Sequence, residues 1–212
     1  TAFMQGMHSA GVLSSAKHFP GHGDTDTDSH KALPTLDFDL KRLDSIEIYP
    51  YKRLIKDGVS SVMVAHLNVP ALESENGLPT SLSKHVITDI LKGQLGFKGL
   101  IFTDALNMKG VANFDSPGDI DLAAFQAGND ILLISEDVPK AIDKIRDAYN
   151  SGEITEERLA HSVKKILKSK YKVGLNKFKP VALENLLADL NRPKDDVLYE
   201  KLMENAITVV KN

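Results

Sequence analysis

The chain has 212 residues, of which 42% are hydrophobic and 26% are charged, and its formal net charge at pH 7 is -3. A chain of this length can bury a sizeable core, and its small negative charge gives no electrostatic case for binding nucleic acid or an anionic membrane. The absence of cysteine excludes disulfides, thiolate catalysis and cysteine-ligated metals.

The two ends of the chain predict a piece of a longer protein. Residues 1–8 lack the basic start and apolar stretch of a signal peptide, and the first residue is Thr1 rather than Met. We therefore expect a fragment or a mature form. No apolar run approaches the roughly 20 residues of a membrane-spanning helix, so we expect no membrane span.

Four short runs rich in Val, Ile and Leu predict β-strands, because they are apolar on both faces like the strands of a buried parallel sheet. These runs are 12–17, 61–66, 99–104 and 131–134. Segments with helical spacing lie between and after them, with capping or stop residues at their ends. The predicted helices are 43–56, 83–91, 121–127, 138–149 and 155–171.

The alternation of strands and helices predicts right-handed βαβ units and an α/β fold. Two architectures fit this order: part of a (β/α)8 barrel, or a small doubly wound sheet. A complete barrel needs about 250 residues and eight strands, which is about twice the strands visible here. Residues 177–212 differ in character, with a charged helix from Asp195 and an apolar ending, Ala206–Val210, that predicts the start of a strand.

The densest polar segment is residues 17–30, directly after the first predicted strand. It holds three His, three Asp and one Lys within fourteen residues, and its Pro and two Gly favour a loop. In barrel enzymes the catalytic groups lie on the loops that follow the strands.

A second candidate is Asp104, which ends the third predicted strand. A carboxylate is costly to bury unpaired, so we expect it to face the open end of the sheet. From its position alone, a catalytic role and a helix N-cap are both open.

Residues 17–30, followed by 31–34, resemble the signature of family 3 glycoside hydrolases, specifically their β-N-acetylglucosaminidase branch. Residues 63–66 and 102–110 are similar to the same branch. The likeness runs from about residue 9 to about residue 175. It implies a (β/α)8 TIM-type barrel over 1–175 whose first strands lie upstream of Thr1, with 176–212 as a helical tail leading to a further domain.

The resemblance also implies roles for individual residues. It makes Asp104 the nucleophile, His30 the general acid/base and Asp28 the partner that tunes this histidine. It places Lys17 and His18 against sugar hydroxyls. Retaining hydrolysis requires an attacking carboxylate and a second group that protonates the leaving oxygen, and an Asp–His pair suits the second task. No metal or organic cofactor is required.

Other interpretations of these residues remain open. The alternating set of His22, Asp24, Asp26, Asp28 and His30 has the ligand types of a zinc or manganese site. His22 fits a structural role in the loop, and Asp24 and Asp26 fit Asx turns.

Two further candidates for the sugar site lie outside the loop. His66 ends the second strand and either fixes a loop or touches the sugar. Met108 either forms an apolar wall of the pocket or packs in the core.

The predicted function is hydrolysis of terminal β-linked N-acetylglucosamine, and the expected partner is an N-acetylglucosamine-containing saccharide, expected to derive from peptidoglycan. A phosphorolytic relative is one alternative. The other is a non-catalytic sugar-binding or interaction module that forms oligomers through exposed sheet edges. Because peptidoglycan is extracytoplasmic, we expect a periplasmic or secreted location rather than a cytoplasmic one.

Overall fold

The computed structural model describes residues 1–29 and 31–211. The chain divides into two compact units, Thr1–Val173 and Gly174–Asn212. Among the described residues, none of the helices has the length and apolar character needed to cross a membrane. The candidate site lies in the first unit, whose α/β character agrees with the sequence prediction.

A small parallel sheet forms the centre of the first unit. Its strands are β1 (Ser15–Phe19), β2 (Ser61–Val64) and β3 (Leu100–Thr103), and they lie in the order β1-β2-β3. β2 and β3 lie within predicted runs, whereas β1 overlaps its predicted run, 12–17, and ends two residues later. The register aligns Val62 with Ile101 and Val64 with Thr103, so the carboxyl ends of the strands meet at one edge.

The prediction of a fourth strand over 131–134 is wrong. Only Ile131 makes a parallel bridge, to Phe102, although the segment continues beside β3 for a short distance. The Leu133 amide donates to the Thr103 hydroxyl at 2.9 Å instead of to a backbone carbonyl. Ile134 then turns the chain with a φ of 47°, a conformation that ends an extended run.

Helices connect and follow the strands. The α-helices of the first unit are α1 (Ala2–Ser9), α2 (Leu40–Arg42), α3 (Tyr49–Lys56), α4 (Lys109–Ala112), α5 (Asp119–Ala127), α6 (Val138–Asn150) and α7 (Glu156–Lys172). Two π-helical segments, Leu43–Glu47 and His85–Gln94, and a 3₁₀ turn, Thr80–Leu82, complete it.

Local sequence explains most of these boundaries. The predicted helix 43–56 is divided in two, and Pro50, which lacks an amide hydrogen, lies in the first turn of α3. The Ser83 hydroxyl accepts from the Val86 amide at 3.0 Å, and that of Thr155 accepts from the Arg158 amide at 3.2 Å. Both hydroxyls therefore cap the helical segments that follow them, as the sequence predicts.

The two faces of the sheet differ. On one face, Val62, Val64, Ile101 and Thr103 have no exposed surface and belong to the layer covered by the helices. On the other face, Met63 and Phe102 are only half-buried. A mostly apolar groove of about 270 Å³ runs along this second face.

Asp130 joins helix α7 to the sheet. One carboxylate oxygen accepts from the Ser162 hydroxyl at 2.6 Å. The other accepts from the Ile101 amide at 2.9 Å and also from the ammonium group of Lys165. The carboxylate is fully buried, so this polar cluster is part of the interior.

The second unit is helical, with a 3₁₀ turn, Leu175–Lys177, and the helices α8 (Leu186–Leu190) and α9 (Pro193–Ala206). The predicted charged helix is α9. The predicted strand start over 206–210 is wrong, because Ala206 still belongs to α9 and the described residues after it pair with no strand. Val210 is 96% exposed, so this apolar ending lacks the burial that would favour a strand.

Candidate functional site

Three polar side chains meet at the carboxyl edge of the sheet. His18 lies in β1, His66 follows β2 and Asp104 follows β3 directly. The Asp104 amide donates to the carbonyl of Val64 at 2.9 Å, which holds it beside the end of β2. The parallel register thus brings together residues that are far apart in the sequence.

The Asp104 carboxylate is oriented by its own backbone. Oδ1 accepts from the Ala105 amide at 2.9 Å, and Oδ2 lies 3.8 Å from Nε2 of His18. The Asp104 side chain is 14% exposed, so the carboxylate is partly desolvated yet still reachable. The helix-cap interpretation of Asp104 is wrong, because the next helix begins at Lys109 with Met108 in the N-cap position.

His66 fixes the backbone beside this carboxylate. Its Nε2 lies 3.0 Å from the Ala105 carbonyl oxygen, which can only accept, so Nε2 carries the proton. The Ser81 hydroxyl then donates to Nδ1 at 2.7 Å. Because the His66 side chain has no exposed surface, this geometry favours its loop-fixing role over contact with a sugar.

Burial makes His66 sensitive to pH. Desolvation lowers the pKa of His66 below its ordinary value of 6.5, outweighing the Ala105 hydrogen bond and the Asp104 charge, which act in the opposite direction. The unfolded chain takes up a proton near pH 6.5, whereas the folded protein does so only at lower pH. The free energy of unfolding is therefore largest above pH 6.5 and decreases as pH falls toward the pKa of the folded state.

We expect His66→Gln, which cannot titrate, to lose less stability than the wild type between pH 8 and pH 5. Urea unfolding at both pH values measures the difference between the two losses. Equal losses in the two proteins would contradict this assignment of the pH dependence.

The loop of residues 20–29 is closed by its own side chains. Nδ1 of His22 pairs with the Thr25 hydroxyl at 2.8 Å, and Nε2 pairs with the Ser29 hydroxyl at 3.2 Å. The predicted structural role of His22 thus matches its contacts. The sequence suggests an Asx turn at Asp24. In the structure the Asp24 carboxylate pairs instead with the Arg42 guanidinium, at 2.8 Å.

Asp28, the predicted partner of the acid/base, lies near the end of this loop. Asp28 is exposed, and its carbonyl accepts from the amides of Lys31 and Ala32 at 2.9 and 3.2 Å. His30 lies outside the described residues, so its role remains a prediction. In the described part of the chain, no three His, Asp or Glu side chains are grouped closely enough to hold a metal ion.

A cavity of about 650 Å³ adjoins the site. Lys17, His18 and His22 line it on one side, and Tyr51 and Leu54 of α3 line it on the other. Lys17 is exposed. Met108, by contrast, is only 7% exposed, which favours packing over a pocket wall.

Gly110, in the first turn of α4, packs against the end of the loop of residues 20–29. Its amide donates to the Ser29 carbonyl at 3.1 Å. A methyl group at Gly110 would lie 2.9 Å from that carbonyl oxygen, 3.3 Å from the oxygen of Ala32 and 3.4 Å from Cβ of His66. Only glycine therefore allows the loop to approach this closely.

We expect Gly110→Ala to destabilise the protein by about 1–3 kcal/mol, because the rigid backbone of the loop must move. The matched control is Gly93→Ala, where the new methyl group meets the Thr88 carbonyl at an ordinary 3.4 Å. Denaturant unfolding of both variants measures the difference. A Gly110 variant as stable as the Gly93 variant would contradict the close approach.

Sequence reasoning missed Ser81, Gly110 and the ion pair in which Nη2 of Arg42 lies 3.0 Å from Oε1 of Glu47. Gly110 closes one of the motifs that carry the family resemblance, which was a usable signal. Ser81 lies in an ordinary Thr-Ser-Leu-Ser run, and nothing local marks it as the partner of His66.

Comparison with known proteins identifies the family. Residues 1–169 match the family described as "Glycosyl hydrolase family 3 N terminal domain". Beta-hexosaminidase A of Pseudoalteromonas piscicida is 33% identical over an alignment that covers 100% of this chain and 38% of the relative.

Two solved structures are also similar. A family 3 β-N-acetylglucosaminidase from Paenibacillus sp. str. FPU-7 has a TM-score of 0.81 and 41% identity, covering 85% of this chain and 35% of that protein. Beta-glucoside phosphorylase BglX, solved bound to 2FGlc, has a TM-score of 0.90 and 28% identity, covering 100% of this chain and 39% of that protein.

The chain thus spans less than half the length of each of these three relatives. The matched region includes the whole sheet, the loop of residues 20–29 and Asp104. The chain belongs to glycoside hydrolase family 3, and it carries that family's N-terminal domain.

Proposed function

We propose that this protein is a retaining glycosidase that releases terminal β-linked N-acetylglucosamine, with Asp104 as the nucleophile. The observation that carries the proposal is the Asp104 carboxylate at the carboxyl edge of the sheet. Its Oδ1 is held by the Ala105 amide, and its Oδ2 faces His18 with 14% of the side chain exposed. The names of the relatives, β-hexosaminidase and β-N-acetylglucosaminidase, support the substrate class.

In the proposed first step, Oδ2 of Asp104 attacks the anomeric carbon while the bond to the leaving oxygen breaks. His30 donates a proton to that oxygen, and the Asp28 carboxylate stabilises the charged imidazole. In the second step, His30 removes a proton from water, which displaces Asp104 and releases the sugar with its original configuration. Lys17 and His18 hold sugar hydroxyls during both steps.

We also propose that the sheet is part of a (β/α)8 barrel. The strand order β1-β2-β3, with Ile131 bridging next to β3, has none of the reversal found in doubly wound sheets. One face is covered by helices, and the half-buried Met63 and Phe102 line the opposite face, as residues inside a barrel do. Closure of the barrel would require further strands beside β1.

Peptidoglycan fragments are the proposed source of the substrate, because a histidine, unlike a carboxylate, carries no negative charge in either its acid or its base form and so adds none beside Asp104. This choice suits a leaving group that is itself anionic, such as a muramic acid derivative. Competition between neutral and carboxylate-bearing aglycones tests this part of the proposal. A preference for the neutral aglycone would contradict it.

A phosphorolytic reaction is the second candidate, because the similarity to a beta-glucoside phosphorylase extends over the whole chain. Phosphate would replace water in the second step. The two candidates share Asp104 and differ only in the acceptor.

Turnover of 4-nitrophenyl N-acetyl-β-glucosaminide, followed by NMR with and without phosphate, tests both candidates. The proposed hydrolase releases the β-anomer of N-acetylglucosamine first, at a rate independent of phosphate. Formation of N-acetylglucosamine 1-phosphate would favour the phosphorylase. Initial release of the α-anomer, or no turnover of any N-acetylglucosaminide, would overturn the proposed mechanism.

A further inference from the structure

A buried acidic side chain lies directly behind the loop of residues 20–29. The Glu47 side chain, at the end of a π-helical segment, is only 5% exposed. Gly21 of the loop has a φ of 151°, and a methyl group there would lie 2.7 Å from Cβ of Glu47. The loop thus packs against Glu47 with no room for a larger residue.

Arg42 joins this buried carboxylate to the loop. Its Nη2 donates to Oε1 of Glu47 at 3.0 Å and to Oδ2 of Asp24 at 2.8 Å. The guanidinium also lies 4.2 Å from the ring centroid of Phe38, and the Asp39 carboxylate accepts from the Arg42 amide at 2.7 Å. These contacts fix both the guanidinium and the backbone of Arg42.

The two halves of this arrangement differ in their surroundings. Asp24 is 62% exposed, so its ion pair with Arg42 is weakened by water. Glu47 is buried, and its Oε2 has no hydrogen-bond partner in residues 1–29 and 31–211. Loss of the Arg42 guanidinium would therefore leave a buried carboxylate without its cation, which is the more costly change.

A series of side-chain hydrogen bonds in the loop connects the residue after Asp24 with Ser29, beside the acid/base candidates in the sequence. Asp24 is followed by Thr25, whose hydroxyl pairs with His22, and His22 pairs in turn with Ser29. Ser29 lies between Asp28 and His30 in the sequence. The Ser29 carbonyl is fixed by the Gly110 amide, so the loop is held at both of its ends.

We propose that Arg42 is a positioning residue for the reaction, which holds the loop of residues 20–29 against Glu47 so that Asp28 and His30 reach the leaving oxygen. The inference rests on the proposed function. It assigns Arg42 no contact with the substrate. Its effect should therefore depend on how much proton donation a substrate needs.

The test compares Arg42→Gln with the wild type on two N-acetyl-β-glucosaminides. For a sugar leaving group, as in diacetylchitobiose, we expect kcat/KM, which reports the first step, to fall by about 10–100-fold, since proton donation contributes about 10²–10⁴-fold to such steps. For 2,4-dinitrophenolate, which leaves without a proton, we expect kcat/KM to change by about threefold or less. Arg42→Lys, which keeps a cationic donor, should recover most of the loss.

The matched control is Arg53→Gln, because Arg53 also pairs with a carboxylate, Asp57, at 2.9 Å but lies away from the loop. We expect any loss of activity in this variant to be the same for both leaving groups. Asp24→Asn removes only the exposed ion pair of Arg42 and leaves its pair with Glu47. We expect this variant to lose activity on the same substrate as Arg42→Gln, but by a smaller factor. It also provides a test if the Arg42 variant does not fold.

The ¹⁵N signals of the His22 ring give a readout that does not depend on turnover. We expect Arg42→Gln to shift or broaden these signals, because the His22 ring is hydrogen-bonded to Thr25 and Ser29 in the loop that Arg42 holds. Unchanged His22 signals, or equal losses on both substrates, would overturn the proposal. If the wild type turns over neither substrate, the proposed function fails, and the His22 signals alone decide whether Arg42 holds the loop.

Discussion

Replacing Asp104 by Asn is expected to lower kcat for an N-acetyl-β-glucosaminide by roughly 10³–10⁵-fold, which corresponds to about 4–7 kcal/mol of transition-state stabilisation. An amide oxygen is a far weaker nucleophile than a carboxylate, so formation of the covalent intermediate should nearly stop. The fold should remain intact, because the side-chain oxygen of the variant could still accept from the Ala105 amide as Oδ1 of Asp104 does at 2.9 Å. Steady-state kinetics with a check of the unfolding midpoint measures both effects.

The chain offers a closely matched control for this substitution. The Asp115 carboxylate accepts from the amide of the next residue, Ser116, at 2.7 Å, as Asp104 does with Ala105. Asp115 is exposed, however, and lies after α4. We expect Asp115→Asn to keep wild-type kcat. Full activity in the Asp104 variant would remove the nucleophile assignment.

Replacing Asp130 by Ala is expected to destabilise the protein by about 3–5 kcal/mol, because buried cations would lose their carboxylate. Asp130 binds Lys165 and Ser162 of α7 and the Ile101 amide of β3. Burial already lowers the pKa of nearby Lys92 to about 8. Loss of the Asp130 charge would make this group of cations still less favourable.

Chemical denaturation measures this effect, with Asp143→Ala as the control. Asp143 pairs with Arg146 at 2.6 Å, but both side chains are more than half exposed. We expect the control to cost at most about 1 kcal/mol. Removing the Lys165 charge together with Asp130 should recover part of the loss. An Asp130 variant as stable as the control would show that the cluster contributes little.

The sequence was sufficient for features that depend on neighbouring residues. The apolar runs that became β1, β2 and β3 are recognisable because a buried parallel strand needs apolar residues on both faces. Asp104 is recognisable because a carboxylate at the end of such an apolar run would be costly to bury without a partner. The caps of Ser83 and Thr155 also depend on atoms only three residues away.

Features that join distant parts of the chain could not be predicted in this way. His66 and Ser81 are fifteen residues apart, and Arg158 donates to the carbonyls of Phe125 and Asn129 across about thirty. The segment 131–134 has the composition of a strand, yet contacts with Thr103 and the conformation of Ile134 divert it. In each case tertiary contacts, rather than local preference, decide the structure.

The most direct test of the account is to trap the glycosyl-enzyme. A slow fluorinated N-acetylglucosaminyl fluoride should inactivate the protein, and mass spectrometry of its peptides should find one sugar attached to Asp104. Attachment to any other residue, or turnover that proceeds without a trappable adduct, would contradict the central claim.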